Sequence, residues 1–306
     1  MPLCLLRNSK LTAQGVSLKI EGYWLASGIL GVTASILKRI GHAGADAVVT
    51  KSIGKVPRKG HQGPVLTTSH GGLLNAVGLT NPGIDEFAEE MNLLTSSDVP
   101  VVLSIFGSSI DETVEVACKG ANLGPDAIEL NLSCPHAEIS QISHDPLLTH
   151  DYVEAVKSVV NCQVFAKISP NVSDIVAIGK AAEKAGADAV VAINTLKGMK
   201  IDIQQKRPVL GNKIGGLSGP PIFPIAIRAV YELYECLSIP IIGVGGVSSW
   251  EDAVEMHLAG ASAIQIGSAL LQGMSVFREI REGVQQYLKT QGFSRTSEII
   301  GIAGEK

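Results

Sequence analysis

The 306 residues are 45% hydrophobic and 18% charged, with 33 glycines and 4% aromatics. That apolar content excludes a disordered chain, and the net charge of -4 excludes the basic face a nucleic-acid binder needs. No apolar run approaches the roughly 18 residues of a membrane-spanning helix.

The N-terminal Met1-Pro2-Leu3-Cys4-Leu5-Leu6-Arg7 is not arranged as a signal peptide. Five cysteines, at 4, 118, 134, 162 and 236, form no C-x-x-C, so neither a disulfide framework nor a metal centre is expected. A reducing cytoplasm is the expected location.

In chain order, one joint recurs. Ala43-Gly44-Ala45-Asp46-Ala47-Val48-Val49 returns as Ala185-Gly186-Ala187-Asp188-Ala189-Val190-Val191. Gly124-Pro125-Asp126-Ala127-Ile128 and Ala259-Gly260-Ala261-Ser262-Ala263-Ile264 are variants. In each, glycine closes a helix and an apolar strand begins. Strands buried on both faces imply a parallel sheet. Such strands are predicted at about 23–28, 46–52, 99–106, 126–132, 163–169, 188–194, 240–245 and 263–267. Helices are predicted at 34–43, 113–123, 152–160, 175–185, 222–236 and 250–259, with Ser173-Asp174 and Ser248-Ser249 as N-caps. Eight alternations fit a TIM (β/α)8 barrel over one domain, 1–306. A doubly wound open sheet is the rival and leaves the repeat count unexplained.

Three connections, 53–84, 133–150 and 195–221, are too long for simple joints and follow the C-terminal ends of strands, where barrel active sites lie. The strand ends deliver Ser27, Lys51, Asn131, Lys167, Asn194 and Thr195 to that rim. Lysines ending apolar strands are costly unless they meet an anion or a polar ligand. Gly243-Val244-Gly245-Gly246 and Gly267-Ser268 follow the last two strands, where barrels build phosphate cradles from glycine N–H groups. The Rossmann spacing is absent. Flavin mononucleotide (FMN) fits this set, since its ring needs a cation near N1/O2. Pyridoxal phosphate also fits a barrel, though no Schiff-base lysine stands out. The segment Val56-Pro57-Arg58-Lys59-Gly60-His61 reads as a basic, solvated loop.

The most unusual stretch is Glu129-Leu130-Asn131-Leu132-Ser133-Cys134-Pro135-His136. It begins as a strand and ends in polar side chains. A cysteine just past a buried strand, beside Asn and Ser, is poorly explained by packing.

Together with Ser169-Pro170-Asn171-Val172-Ser173-Asp174, Ile193-Asn194-Thr195-Leu196-Lys197-Gly198 and Gly215-Gly216-Leu217-Ser218-Gly219-Pro220, this stretch resembles class 1 dihydroorotate dehydrogenase. The match runs over about 22–272 and is nearest to class 1B, whose FMN subunit works with an iron–sulfur flavoprotein. The resemblance implies FMN-dependent oxidation of dihydroorotate to orotate in pyrimidine biosynthesis. It implies Cys134 as the base, with Lys51 and Ser52 at the flavin and Lys51 also at the substrate. Asn75, Ala76, Val77, Gly78 and Leu79 resemble the substrate loop. Asn131 resembles a residue shared by flavin and substrate, and Asn194 with Thr195 a substrate pair. Ser27, Lys167, Ile193, Gly219, Gly245, Gly246, Gly267 and Ser268 resemble flavin contacts.

A homodimer, and a heterotetramer with an FAD and iron–sulfur subunit, are implied in the same way. Two residues depart from the family pattern: Ser268 replaces a commoner threonine, and His136 replaces an asparagine. The flavin domain of dihydropyrimidine dehydrogenase has a histidine there, so dihydrouracil or dihydrothymine is the alternative substrate. Against that, 197–208 looks like the dihydroorotate branch, and the cysteine clusters of a fused ferredoxin domain are absent.

Overall fold

The structure is a computed structural model that describes residues 17–133 and 144–305. The chain runs β1 (Gly22–Leu25), α1 (Ala34–His42), β2 (Ala47–Val49), β3 (Leu66–Ser69), β4 (Gly72–Asn75), α2 (Ile84–Thr95) and β5 (Val101–Ile105). It continues α3 (Ile110–Ala121), β6 (Ala127–Asn131), α4 (Pro146–Lys157), β7 (Gln163–Lys167), α5 (Ile175–Lys184) and β8 (Ala189–Ala192). Then come β9 (Leu196–Met199), β10 (Ile201–Asp202), β11 (Arg207–Pro208), β12 (Ile214–Ser218), α6 (Phe223–Cys236), β13 (Ile241–Val244), α7 (Trp250–Leu258), β14 (Ala261–Ile266) and α8 (Val276–Gln291).

Eight of the described strands close into a parallel barrel in the order β1-β14-β13-β8-β7-β6-β5-β2. This is the expected TIM barrel, and closure removes the open-sheet alternative. All eight predicted strands are present.

The recurring joint has a physical basis. Gly44, Gly124 and Gly186 take φ of +118, +73 and +88, a conformation that ends the helix without a Cβ penalty. The aspartate two residues later then ties into the neighbouring strand. Asp46, Asp126 and Asp188 each accept, through Oδ2 at 2.7 Å, the N–H of Tyr23, Val101 and Val164 respectively. Each returns its own N–H to that same residue's carbonyl at 2.9 Å. Three joints thereby fix the register of three strand pairs.

Capping follows the sequence. Asp174 caps α5 by accepting from Ala177 N–H at 2.9 Å, and Ser249 with Asp252 forms a capping box on α7. Two helices start earlier than periodicity predicts. Asp145 caps α4 with Pro146 in the first turn, and Ser109 caps α3. Both caps lie before the apolar stripe begins.

Two of the long connections are not loops. Residues within 53–84 and 195–221 pair as the antiparallel sheet β3-β4-β12-β9 above the barrel. The β3–β4 turn is His70-Gly71, with both residues at positive φ (45 and 78), as a two-residue hairpin with the favoured twist requires. The basic segment at 56–61 is also anchored. Arg58 exchanges backbone hydrogen bonds with Asn81, and its guanidinium lies 5.1 Å from the Phe106 ring centroid.

Side chains alternate along the barrel strands. Trp24, Val49, Val102, Phe165, Val191 and Ile242 fill the lower lumen. Leu25, Val48, Leu103, Ile128 and Val190 face the helices. Toward the strands' C-terminal ends four inward positions are polar, Ser104, Glu129, Lys167 and Gln265, all buried.

Candidate active site

Each polar position in the barrel stands one pleat beyond an apolar lumen residue of its own strand. Ser104 stands two residues after Val102, Glu129 two after Ala127, Lys167 two after Phe165, and Gln265 two after Ala263. Period-two geometry puts each of them inside the barrel.

Above these positions runs a hydrogen-bonded chain across four strand ends. Ser27 Oγ donates to Thr50 O at 2.8 Å and lies 3.5 Å from Ser52 Oγ. The Ser52 hydroxyl lies 2.9 Å from Ser104 Oγ. Asn131 Nδ2 donates to Ser52 Oγ at 3.0 Å, and Asn194 Nδ2 donates to Asn131 Oδ1 at 3.3 Å. Asn194 Oδ1 in turn accepts Thr195 N–H at 2.8 Å. The structure thus brings Ser27, Ser52, Asn131, Asn194 and Thr195 into one network. Ser133 N–H also bonds Asn131 Oδ1, at 3.1 Å. Asn131 therefore fixes the backbone immediately before Cys134. Cys134 and His136 themselves lie outside the described residues.

Lys51 follows β2 and donates its N–H to Gly31 O at 2.8 Å. Burial pushes its ammonium below the ordinary lysine value, with no other cause contributing.

The upper sheet positions the loop at 75–79. Asn75 ends β4, pairs with Gly216 of β12, and donates Nδ2–H to Gly216 O at 3.3 Å. Ala76 packs with Leu74 and Leu210, and its carbonyl lies 3.1 Å from His61 Nδ1. Val77 O accepts His61 N–H at 3.1 Å. Gly78 and Leu79 both take positive φ, 79 and 55, and Leu79 O accepts from Asn81 Nδ2 at 2.8 Å. Thr195 Oγ1 would lie 2.2 Å from a Cβ on Gly216, so only glycine there lets β12 pass over Thr195.

The glycines converge on the other side of the rim. Gly219 has φ +94, and a Cβ on it would sit 3.5 Å from Ser268 Oγ. Gly246 has φ +83, and a Cβ there would sit 2.9 Å from Gly219 O and 2.7 Å from Phe223 Cβ. Gly245, at φ +135, abuts Ala226 and Ile193. Gly267 precedes the short 3-10 turn Ser268–Gln272. Three loops therefore bring bare backbone to one place beside a helical start, which suits a phosphate. Ile193 is buried and donates its N–H to Val244 O at 2.8 Å, joining this cradle to β8. A phosphate cradle, a buried lysine and an amide-lined rim fit FMN.

Sequence reasoning missed Ser104 and Gln265, and named Glu129 only as part of a motif. Gln265 Nε2 donates to Glu129 Oε2 at 2.7 Å, and Lys167 Nζ donates to Gln265 Oε1 at 3.3 Å. Lys167 Nζ also stands 3.5 Å from Glu129 Oε1. The available signal was a polar residue at alternate positions of an otherwise apolar strand. Asn171 was likewise seen only as motif. It accepts Lys197 N–H at 2.8 Å and donates to Thr195 O at 3.0 Å, clamping the residue beside Asn194.

The model of the family described as dihydroorotate dehydrogenase matches residues 15–288. The chain belongs to that family. It is 53% identical over 282 residues to a protein of Pyrococcus abyssi named dihydroorotate dehydrogenase B (NAD(+)), catalytic subunit, covering 91% of this chain and 94% of that one. A protein of the same name from Methanosarcina mazei is 51% identical over 285 residues, covering 92% and 91%. Among solved structures, that of DHODH from Eimeria tenella in complex with ferulenol superposes with a TM-score of 0.79 at 20% identity, covering 92% of this chain and 84% of that one. The last likeness speaks for the fold. At the rim of this barrel Asn131 bonds Asn194, Asn171 bonds the adjoining Thr195, and Gly219 lies beside Ser268.

Proposed function

We propose that this chain oxidises dihydroorotate to orotate as a single FMN-binding barrel domain. The observation that carries the reading is the rim network joining Ser52, Asn131 and Asn194, set between the glycine cradle and the backbone that leads into Cys134. A flat, polar ring substrate needs several amides fixed in one plane, and these amides fix each other. Membership of the dihydroorotate dehydrogenase family supports the choice of substrate.

The residue roles follow. Gly219, Gly245, Gly246, Gly267 and Ser268 would hold the flavin phosphate. Ser27, Ser52, Asn131, Lys167 and Ile193 would face the flavin ring. Lys51, Asn75 to Leu79, Asn131, Asn194 and Thr195 would hold dihydroorotate. When bound, FMN would supply the two-electron acceptor for the hydride leaving substrate C6. Cys134 removes the C5 proton. An ordinary thiol, with a pKa near 8.5, is only a few per cent thiolate at neutral pH. Flavin reduction is therefore expected to speed up with rising pH toward that value, and to be lost in Cys134→Ala.

The relatives' name, an NAD(+) enzyme's catalytic subunit, supports a partner subunit as the route for the electrons, and we propose that this partner carries FAD and an iron–sulfur centre. We also propose a homodimer, for which the exposed Leu66, Met199 and Ile214 on the upper sheet offer apolar surface. No helix among the described residues is long and apolar enough to cross a membrane; we propose the cytoplasm as the protein's place of work.

The test is an anaerobic visible spectrum of the purified protein with dihydroorotate, and with dihydrouracil in parallel. Bleaching of a yellow protein by dihydroorotate alone is expected. Bleaching by dihydrouracil alone would overturn the substrate assignment.

A further inference from the structure

Glu129 is fully buried inside the barrel, on a strand whose neighbours are apolar. A buried carboxylate is costly, and even a buried ion pair is often no better than apolar residues of similar volume. Stability alone therefore does not explain why a glutamate stands here. Its surroundings are specific. Oε2 accepts from Gln265 Nε2 at 2.7 Å, across the lumen from β14. Oε1 has no hydrogen-bond partner among the described residues and faces Lys167 Nζ at 3.5 Å.

The register explains the long contact. Asn131, not Glu129, lies opposite Lys167, so the lysine's backbone stands one pleat further toward the rim than Glu129 and the two side chains meet diagonally. Its two polar contacts among the described residues, 3.3 Å to Gln265 and 3.5 Å to Glu129, exceed the roughly 2.7–2.9 Å of a tight charge-assisted bond. The ammonium is restrained without being fully engaged, and its remaining hydrogen-bonding capacity is available to an acceptor at the rim.

We propose that Glu129 is a positioning residue that acts through Lys167 to set the reduction potential of the bound flavin. This rests on the flavin reading above. The carboxylate anchors the ammonium and offsets its charge, so the flavin meets the end of a dipole rather than a bare cation. Neutralising Glu129 leaves the cation uncompensated, which favours the reduced, more negative flavin. If Lys167 is removed, Glu129 loses the ammonium through which it acts on the flavin. Substituting Glu129 should then change nothing further.

The experiment is the midpoint potential of the FMN-loaded protein, measured by anaerobic equilibration with a reference dye. Glu129→Gln is expected to bind reduced over oxidised flavin at least tenfold more favourably than wild type, an upward shift of about 30 mV for a two-electron couple. In a Lys167→Met background the same substitution is expected to give no shift. An unchanged potential in Glu129→Gln overturns the proposal, as does an equal shift in both backgrounds. Should Glu129→Gln not fold, Glu129→Asp decides. It keeps the charge but withdraws it by one methylene, and is expected to shift the potential upward by less; no shift overturns the proposal. A structural role alone would alter thermal stability or flavin content and leave the potential in place. A wild-type protein that binds no FMN would instead defeat the flavin reading itself.

Discussion

Lys51 carries a charge that burial disfavours, with no compensating partner among the described residues. Such a site is completed by an anion. The orotate carboxylate or ring oxygens would supply it through a charge-assisted hydrogen bond worth roughly 1.5–3 kcal/mol. Lys51→Ala is expected to weaken orotate binding at least tenfold, measured by calorimetric titration of the FMN-loaded protein. Unchanged affinity would remove Lys51 from the substrate site. Lys51 and Lys167 were both legible in the sequence because a lysine ending an apolar strand is conspicuous. Their different settings were not. Lys167 meets Glu129 and Gln265, whereas the shift at Lys51 comes from burial.

At the scale of elements, the glycine cradle gives a sharp prediction. A Cβ on Gly246 would meet Phe223 Cα and Gly219 O at 2.9 Å, and neither is a flexible side-chain end. The residue also holds φ +83, which costs an L-residue roughly 1–2 kcal/mol. Gly246→Ala is expected to lower FMN affinity at least tenfold while the barrel's far-UV circular dichroism persists. Flavin fluorescence quenching on titration into the apoprotein measures it, and wild-type affinity would mean the cradle lies elsewhere.

The same scale shows where local reading works. Helix–glycine–strand joints and the caps of α5 and α7 are contiguous in sequence and appeared where the residues indicated, whereas α3 and α4 begin earlier, at Ser109 and Asp145. The sheet β3-β4-β12-β9 was read as loops. Its strand β4 finds β12 roughly 140 residues later, at pairs such as Asn75 with Gly216. Its hairpin turn is His-Gly rather than the familiar Asn-Gly.

For the molecule as a whole, acid stability is set partly at the opposite side of the chemistry. His257, at the end of α7, is fully buried with Nδ1 2.7 Å from Ala261 O. Its Nε2 has no hydrogen-bond partner among the described residues, and its ring stands edge-on to Tyr23. Burial pushes its pKa down from 6.5 to about 4. As pH falls, the unfolded chain takes up this proton first. The contribution to stability is therefore whole above about 6.5 and is lost between there and about 4, amounting to roughly 3 kcal/mol. Urea unfolding at pH 7.5 and 4.5 should show that loss. His257→Asn, which keeps a donor for Ala261 O, should show a smaller one. Equal losses in both proteins would rule His257 out as the cause.

The sequence by itself determined the barrel and most of its rim. A joint repeated along the chain, with glycine to end a helix and aspartate to hook the adjacent strand, is local chemistry and can be read locally. Period-two alternation then sends the residues at strand ends toward one mouth. Only the tertiary structure decided which of those residues meet. Lys167 and Gln265 are 98 residues apart, and Glu129 and Gln265 are 136 apart. They touch because the sheet closes and brings opposite walls within side-chain reach. Curvature of that kind depends on all eight strands at once and leaves no mark on any single one.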